Sequence, residues 1–280
     1  MMNDQILIGV DFSSAPTKRK PITVAVGRLR GHRRLTYELE TIRELASLAA
    51  FDAMLAESGS WLGGFDLPFG QPRSLIEHEG WPTDWATFVR FYCQQPRESL
   101  RDTFRSWCNA RPVGDKFAWR KTDKPAGSSP AMRWTNPPVA WMMHAGIGRM
   151  LAAGLSFPAH RHPRRRRQFA KVALEAYPGF TAKQIVRGSY KSDTPSRQTA
   201  DRRIRRQQIL EAVLTGDAGL AIRLQTSAAW RRRILADGRG DLLDAVLCSL
   251  QAGHAALQQD FGLPQDLDPL EGWIASVPVG

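Results

Sequence analysis

Ile6-Leu7-Ile8-Gly9-Val10-Asp11 is an unbroken apolar run closed by a carboxylate. Such a run reads as a buried strand, and an acid at its end is costly to bury unless it is hydrogen-bonded, paired with a cation or bound to a metal. Working outward, Ile22-Thr23-Val24-Ala25-Val26-Gly27 is β-branched and alternating, as is Leu35-Thr36-Tyr37-Glu38-Leu39-Glu40 beyond the turn around Gly31. The two form a hairpin. Over 44–55, Leu45, Leu48, Ala49, Phe51 and Leu55 recur at helical spacing, Gly59 stops the helix, and Trp61-Leu62-Gly63-Gly64-Phe65-Asp66 resumes as a strand that again ends in an acid. Hairpin links make the first three strands antiparallel, and the helical crossover lets the fourth lie parallel beside the first. Asp11 and Asp66 then share the sheet edge where open α/β sheets place their ligand sites.

Over 70–165 the pattern loosens. Trp81, Trp85, Trp107, Trp119, Trp134 and Trp141 are scattered among prolines and short helical stretches, which reads as a large, mostly helical insertion. Most of these tryptophans are expected in the core, and Gly127-Ser128-Ser129-Pro130 reads as a mobile loop. The sheet returns over 169–175 and ends in Glu175. Helices are expected over 179–187, 200–214 and 217–226. The last helix, 241–259, is the clearest: Leu242, Leu243, Val246, Leu247, Leu250 and Leu257 form its apolar stripe, while Asp241, Asp244, Cys248 and Gln251 share another face. The expected fold class is α/β: one domain over 1–280, with a mixed sheet of antiparallel hairpins followed by parallel strands, flanked by helices and interrupted by the insertion.

With 42% hydrophobic and 24% charged residues, the 280-residue chain has an ordinary globular composition. No apolar run approaches the length of a transmembrane helix, and Met1-Met2-Asn3-Asp4 carries no signal-peptide pattern. Three cysteines without CxxC spacing argue against a disulfide scaffold or a zinc module and fit a cytoplasmic location. The formal charge of +12 favours polyanionic partners. Its densest runs are His160-Arg161-His162-Pro163-Arg164-Arg165-Arg166-Arg167, Arg202-Arg203-Ile204-Arg205-Arg206 and Trp230-Arg231-Arg232-Arg233. They read either as solvated surface or as the lining of a phosphate-tracking groove.

Strand, hairpin, crossover helix and parallel strand, ending in an acidic helix, is similar to the layout of the ribonuclease H superfamily. Four local sequences go further: Ile8-Gly9-Val10-Asp11-Phe12-Ser13-Ser14-Ala15, Gly64-Phe65-Asp66-Leu67-Pro68-Phe69-Gly70, Glu175-Ala176-Tyr177-Pro178 and Asp241-Leu242-Leu243-Asp244-Ala245. Together they resemble domain-of-unknown-function family 429, described as predicted nucleases with a ribonuclease-H-like fold, distantly related to Holliday-junction resolvases. The resemblance spans residue 6 to about residue 255. It implies Asp11 as the first-strand aspartate, Asp66 as the fourth-strand acid, and Asp244 as the final-helix acid with Asp241 beside it. Glu175 matches the family's Glu-x-Tyr-Pro motif. Lys191, in Ser189-Tyr190-Lys191, looks like the lysine of its Lys-Tyr-Lys motif, whose first lysine is absent here.

The expected activity is therefore a divalent-metal-dependent nuclease. Asp11, Asp66, Glu175 and Asp244 are its catalytic candidates, and Asp11, Asp66, Asp241 and Asp244 are candidate ligands for Mg2+ or Mn2+. Arg164, Arg165, Arg166, Arg167, Lys191, Arg202, Arg203 and Arg206 are the candidate contacts to DNA or RNA. Paired divalent ions about 4 Å apart activate a water and stabilise the leaving oxygen, and magnesium takes hard oxygen ligands. Each acid also has a structural alternative. Asp11 can cap the turn at Ser13 and Ser14, and Asp66 can form an Asx-turn. Asp241 can be a helix N-cap with Asp244 a first-turn acid, and Glu175 can pair with an arginine. Two other functions stay open. Asp11-Phe12-Ser13-Ser14-Ala15-Pro16-Thr17-Lys18 faintly resembles the first phosphate loop of actin-type and sugar-kinase phosphotransferases, although no second glycine-rich phosphate loop accompanies it. A non-catalytic nucleic-acid-binding protein is the other.

Overall fold

The computed structural model describes residues 4–31, 35–161 and 171–279. Its sheet begins as the sequence predicts. The strands β1 (Ile6–Asp11), β2 (Ile22–Arg30) and β3 (Leu35–Leu45) are antiparallel neighbours. The helix α1 (Leu48–Ala56) starts later than its apolar spacing suggests, because β3 runs on to Leu45. Ser47 then caps the helix by accepting the Ala50 N–H at 3.1 Å. The fourth strand, β4 (Trp61–Asp66), returns parallel to β1.

Among the described residues there follow α2 (Arg73–His78), α3 (Trp85–Gln94), α4 (Arg97–Asn109), α5 (Asp123–Ala126) and α6 (Val139–Ala152). After them, β5 (Lys171–Glu175) pairs parallel with β4. Then come α7 (Pro178–Ile185), α8 (Ala200–Thr215), β6 (Ile222–Gln225), α9 (Ala228–Ala236) and α10 (Asp241–Ala256). The sheet order is β5-β4-β1-β2-β3-β6. One expectation fails: the stretch 217–226 is not a helix. Ile222 and Leu224 are buried while Arg223 and Gln225 are exposed, an alternation that fits a strand, and β6 pairs parallel with β3 through Leu35 to Glu38.

Each face of the sheet has its own core. On one, Ile8, Val10 and Phe65 pack with Phe51 of α1, Phe88 of α3, Phe104 of α4 and Met143 of α6. Trp85 and Trp107 are buried there, and Trp81, Trp134 and Trp141 pack against it, while Trp119 is exposed. On the other face, Leu7 and Leu62 meet Ile209 and Val213 of α8 and the stripe of α10. Among the described residues no helix is long and apolar enough to cross a membrane.

The approach of α10 to the sheet depends on two glycines. A Cβ at Gly9 would lie 2.0 Å from the Ala245 carbonyl oxygen, and one at Gly64 would lie 2.2 Å from that of Cys248. Only glycine admits the helix backbone this closely. Side chains alternate along a strand, so Leu7, Gly9 and Asp11 share one face, as do Leu62, Gly64 and Asp66. That is the face α10 covers, and it brings the acids at the helix's N-terminus toward the strand ends.

Candidate active site

Asp11 and Asp66 are partners in register at the C-terminal ends of the parallel β1–β4 pair. Neither makes the turn-capping bond that was the structural alternative. Among the described residues, no hydrogen bond reaches either carboxylate. Burial above all holds Asp11 well above the ordinary carboxylate range. Lys191 works against this, and Asp244, Asp241 and Asp66 add to it. Asp66 is pushed up to about 7 by burial, opposed by Lys191 and reinforced by Asp244 and Glu175. These are like charges held together with little solvent.

Asp244 differs from the expectation of a metal ligand. It is fully buried, and both its oxygens are committed: Oδ1 accepts the Tyr190 hydroxyl at 2.5 Å, and Oδ2 accepts the Lys191 ammonium. Burial disfavours the charge on Lys191, yet Asp244 foremost, with Asp11 and Asp66, holds its pKa well above the ordinary lysine value. Lys191 thus stands among the carboxylates and lines the cleft with Asp11 and Asp66. Asp241 is not an N-cap either. Gly240 takes that position with a left-handed φ of 79°, and Asp237 accepts the Leu242 N–H at 3.0 Å. Asp241 lies in the first helical turn, where the helix dipole favours acids. Its Oδ2 is buried without a hydrogen bond, although Arg239 Nε is 3.2 Å away. Burial, with Asp237, pushes Asp241 up to about 6.

Glu175 lines the same cleft as Asp11 and Asp66, but its carboxylate is already engaged. In register it faces Phe65, not Asp66, so alternation turns it toward the helical region between β4 and β5. There Arg120 donates to both its oxygens, at 2.6 and 2.8 Å, and the Phe69 N–H donates at 2.9 Å. Arg120 also holds the buried Asp123 at 2.8 Å and the Glu271 carbonyl at 3.2 Å. The arginine-pairing alternative is the one realised.

The basic candidates divide. Arg164 to Arg167, and His162, lie outside the described residues. Arg203 is exposed and Arg202 half-buried on the first turn of α8, both without an ion-pair partner among the described residues. Arg206 is a correction. It is buried, and its guanidinium holds the Tyr190 carbonyl at 2.7 Å and the Leu235 carbonyl at 3.3 Å, so it is not available to a phosphate. Helical spacing carries the signal: 206, 209, 210 and 213 share the buried face of α8. Sequence reasoning also missed Tyr190, Arg120 and Arg197, the last of which lines the cleft above Asp11 and Asp66.

Comparison of the chain with protein-family models, with curated proteins and with solved structures gave no match in any of the three.

Among the described residues, no three His, Cys, Asp or Glu side chains are gathered closely enough to hold a metal ion. The described residues therefore build no closed, all-protein cage. The donor set nevertheless fits magnesium or manganese, because these ions keep several waters and often take only one or two carboxylates. Asp11 and Asp66 are two adjacent, unbonded oxygen donors opening into a cleft, and Asp241, whose Oδ2 lies 3.2 Å from Arg239 Nε, lines the same cleft.

Proposed function

We propose that this chain is a divalent-metal-dependent phosphodiesterase acting on nucleic acid, the activity that its resemblance to family 429 implies. One observation carries the reading: Asp11 and Asp66 stand side by side at the sheet edge, line a cleft, and accept no hydrogen bond among the described residues. Half-buried carboxylates left unbonded in a cleft, with raised pKa values, mark a site kept for a ligand rather than for stability. Asp11 and Asp66 would hold Mg2+ or Mn2+, with Asp241 beside them. The bound ion supplies activation of water and stabilisation of charge on the leaving oxygen.

The protein's own groups prepare that site. Lys191 offsets the negative charge of Asp11 and Asp66 and is itself oriented by Asp244 and Tyr190. The Glu175–Arg120–Asp123 cluster ties the end of β5 to the helical region and to the backbone at Phe69, fixing the cleft wall. The test is calorimetric titration with Mn2+, together with a manganese-supported cleavage screen over branched, single-stranded and hybrid substrates. Wild type is expected to bind the ion and cleave, and Asp11→Asn to do neither. A wild type that binds no Mn2+ at millimolar concentration removes the reading.

A further inference from the structure

The cleft over Asp11 and Asp66 has a volume of about 610 Å³, within the roughly 300–1,000 Å³ range of pockets that enclose one small ligand. Three segments wall it: the β1–β2 connection with Ser13 and Lys20, the helical region with Ser128 and Met142, and the stretch 189–197. Lys20 donates to Asp193 at 2.5 Å and ties the first wall to the third. A scissile phosphate on a duplex is flanked by the second strand and by both grooves. A duplex is far larger than a space of that volume, whereas a nucleotide or two of an unpaired strand is of its size.

The charges in the cleft narrow the choice further. Lys20 is paired with Asp193, Lys191 with Asp244, and Arg120 with Asp123 and Glu175. Arg197 lines the same cleft, is exposed, and has neither an ion-pair partner nor a side-chain hydrogen bond among the described residues. The segment carrying it is fixed. The Arg197 N–H donates to the Thr194 carbonyl at 2.9 Å, Gln198 Nε2 to the Ser192 carbonyl at 2.9 Å, and the Ser192 N–H to the Gly238 carbonyl at 3.1 Å. The Arg197 guanidinium is the cleft's one cation left unpaired among the described residues, and its planar fork matches phosphate.

We propose that the cleft accepts an unpaired nucleic-acid strand and that Arg197 binds a phosphate neighbouring the one over Asp11 and Asp66. The inference rests on the phosphodiesterase reading for the scissile position, while the Arg197 contact is tested independently of it. Fluorescence anisotropy on the Asp11→Asn chain compares a short labelled DNA strand, the same strand in RNA, and a blunt hairpin duplex. At least one single strand is expected to bind about tenfold more tightly than the duplex. Arg197→Ala should weaken that binding about tenfold and lower the slope of log affinity against log salt by about one. Arg197→Lys should retain the slope, and in the chain that keeps Asp11 both substitutions should leave Mn2+ affinity unchanged. Equal or tighter binding of the duplex, or an Arg197→Ala chain with unaltered affinity and slope, overturns the proposal. Manganese binding with cleavage of duplex alone sinks this inference and keeps the phosphodiesterase reading. Strand binding through Arg197 without Mn2+ binding by the wild type does the reverse.

Discussion

Lys191 donates its ammonium to Asp244 inside the acidic cluster, and this pair divides the cluster in two. On the α10 side, Asp244 is buried and saturated by Lys191 and Tyr190. On the strand side, Asp11 and Asp66 have only the more distant pull of the same ammonium. One cation thus permits four acids to share the end of a sheet, while two of them keep free lone pairs facing the cleft.

Lys191→Met is expected to destabilise the metal-free protein. Removing one partner of a buried pair costs about 3–5 kcal/mol. The Lys191 side chain is 38% exposed, which solvent screening turns into a loss at the low end of that range. Mn2+ affinity should rise at the same time, because a competing positive charge has gone. Denaturant unfolding and calorimetry check the two halves. A fall in Mn2+ affinity would show that Lys191 supports the ion's site instead of competing with it.

The pH dependence follows from Asp66. Its folded pKa of about 7 lies above the unfolded value of roughly 4. Between those values the folded chain binds more protons than the unfolded chain, so stability falls as pH rises through this window, and the raised Asp11 and Asp241 act in the same sense. Glu57 and Asp268, held below the usual carboxylate range, act in the opposite sense at more acidic pH. In chelator, the melting temperature should therefore fall between about pH 5 and pH 7.5. Asp66→Asn should lessen that fall, leaving the part carried by Asp11 and Asp241, and stabilise the protein near neutrality by roughly 0.5–2 kcal/mol. Manganese should raise the melting temperature of wild type more at the higher pH and do nothing for the variant.

Much of this was legible in the sequence wherever the signal is local. Leu7-Gly9-Asp11 and Leu62-Gly64-Asp66 announce strands ending in acids, and the stripe of α10 announces its own helix. What was hidden depends on contacts between distant segments. The strand β6 is four residues long, and its partner in β3 lies far back in the chain. Glu175 meets an arginine 55 residues earlier that no motif marks, and only the β4–β5 register reveals which face it takes. Arg206 was misread for a different reason: a run of arginines looks uniformly exposed until helical spacing is imposed on it.

Glu175→Gln is expected to cost about 3–5 kcal/mol, because it leaves Arg120 short of one charged partner in a buried site. Arg120→Met should cost more than this, since it strands both Glu175 and Asp123, which are buried. Glu175 lines the same cleft as Asp66, but its oxygens are held by Arg120 and the Phe69 N–H, so Mn2+ affinity in Glu175→Gln should remain close to wild type. Chemical denaturation ranks the two variants, and calorimetry on Glu175→Gln decides whether this acid belongs to the metal site. A large loss of Mn2+ affinity in a folded Glu175→Gln chain would place it there.

Gly9→Ala tests whether the position of α10 sets the site. The added methyl would fall 2.0 Å from the Ala245 carbonyl oxygen and 2.3 Å from the Ser249 nitrogen, both backbone atoms that no rotamer change can clear. The helix must shift away from β1, and overpacking of this kind costs typically 1–3 kcal/mol. Because α10 carries Asp241 and Asp244, its shift also moves these acids, and Lys191 with them, relative to Asp11 and Asp66. Stability and Mn2+ affinity should therefore fall together. Gly148→Ala in α6 is the control. Its methyl would meet only the Cys93 side chain, at 3.0 Å, on the other side of the sheet, so it should leave metal affinity intact. A Gly9→Ala chain that melts earlier yet binds Mn2+ as tightly as wild type would show that Asp11 and Asp66 hold the ion without help from α10.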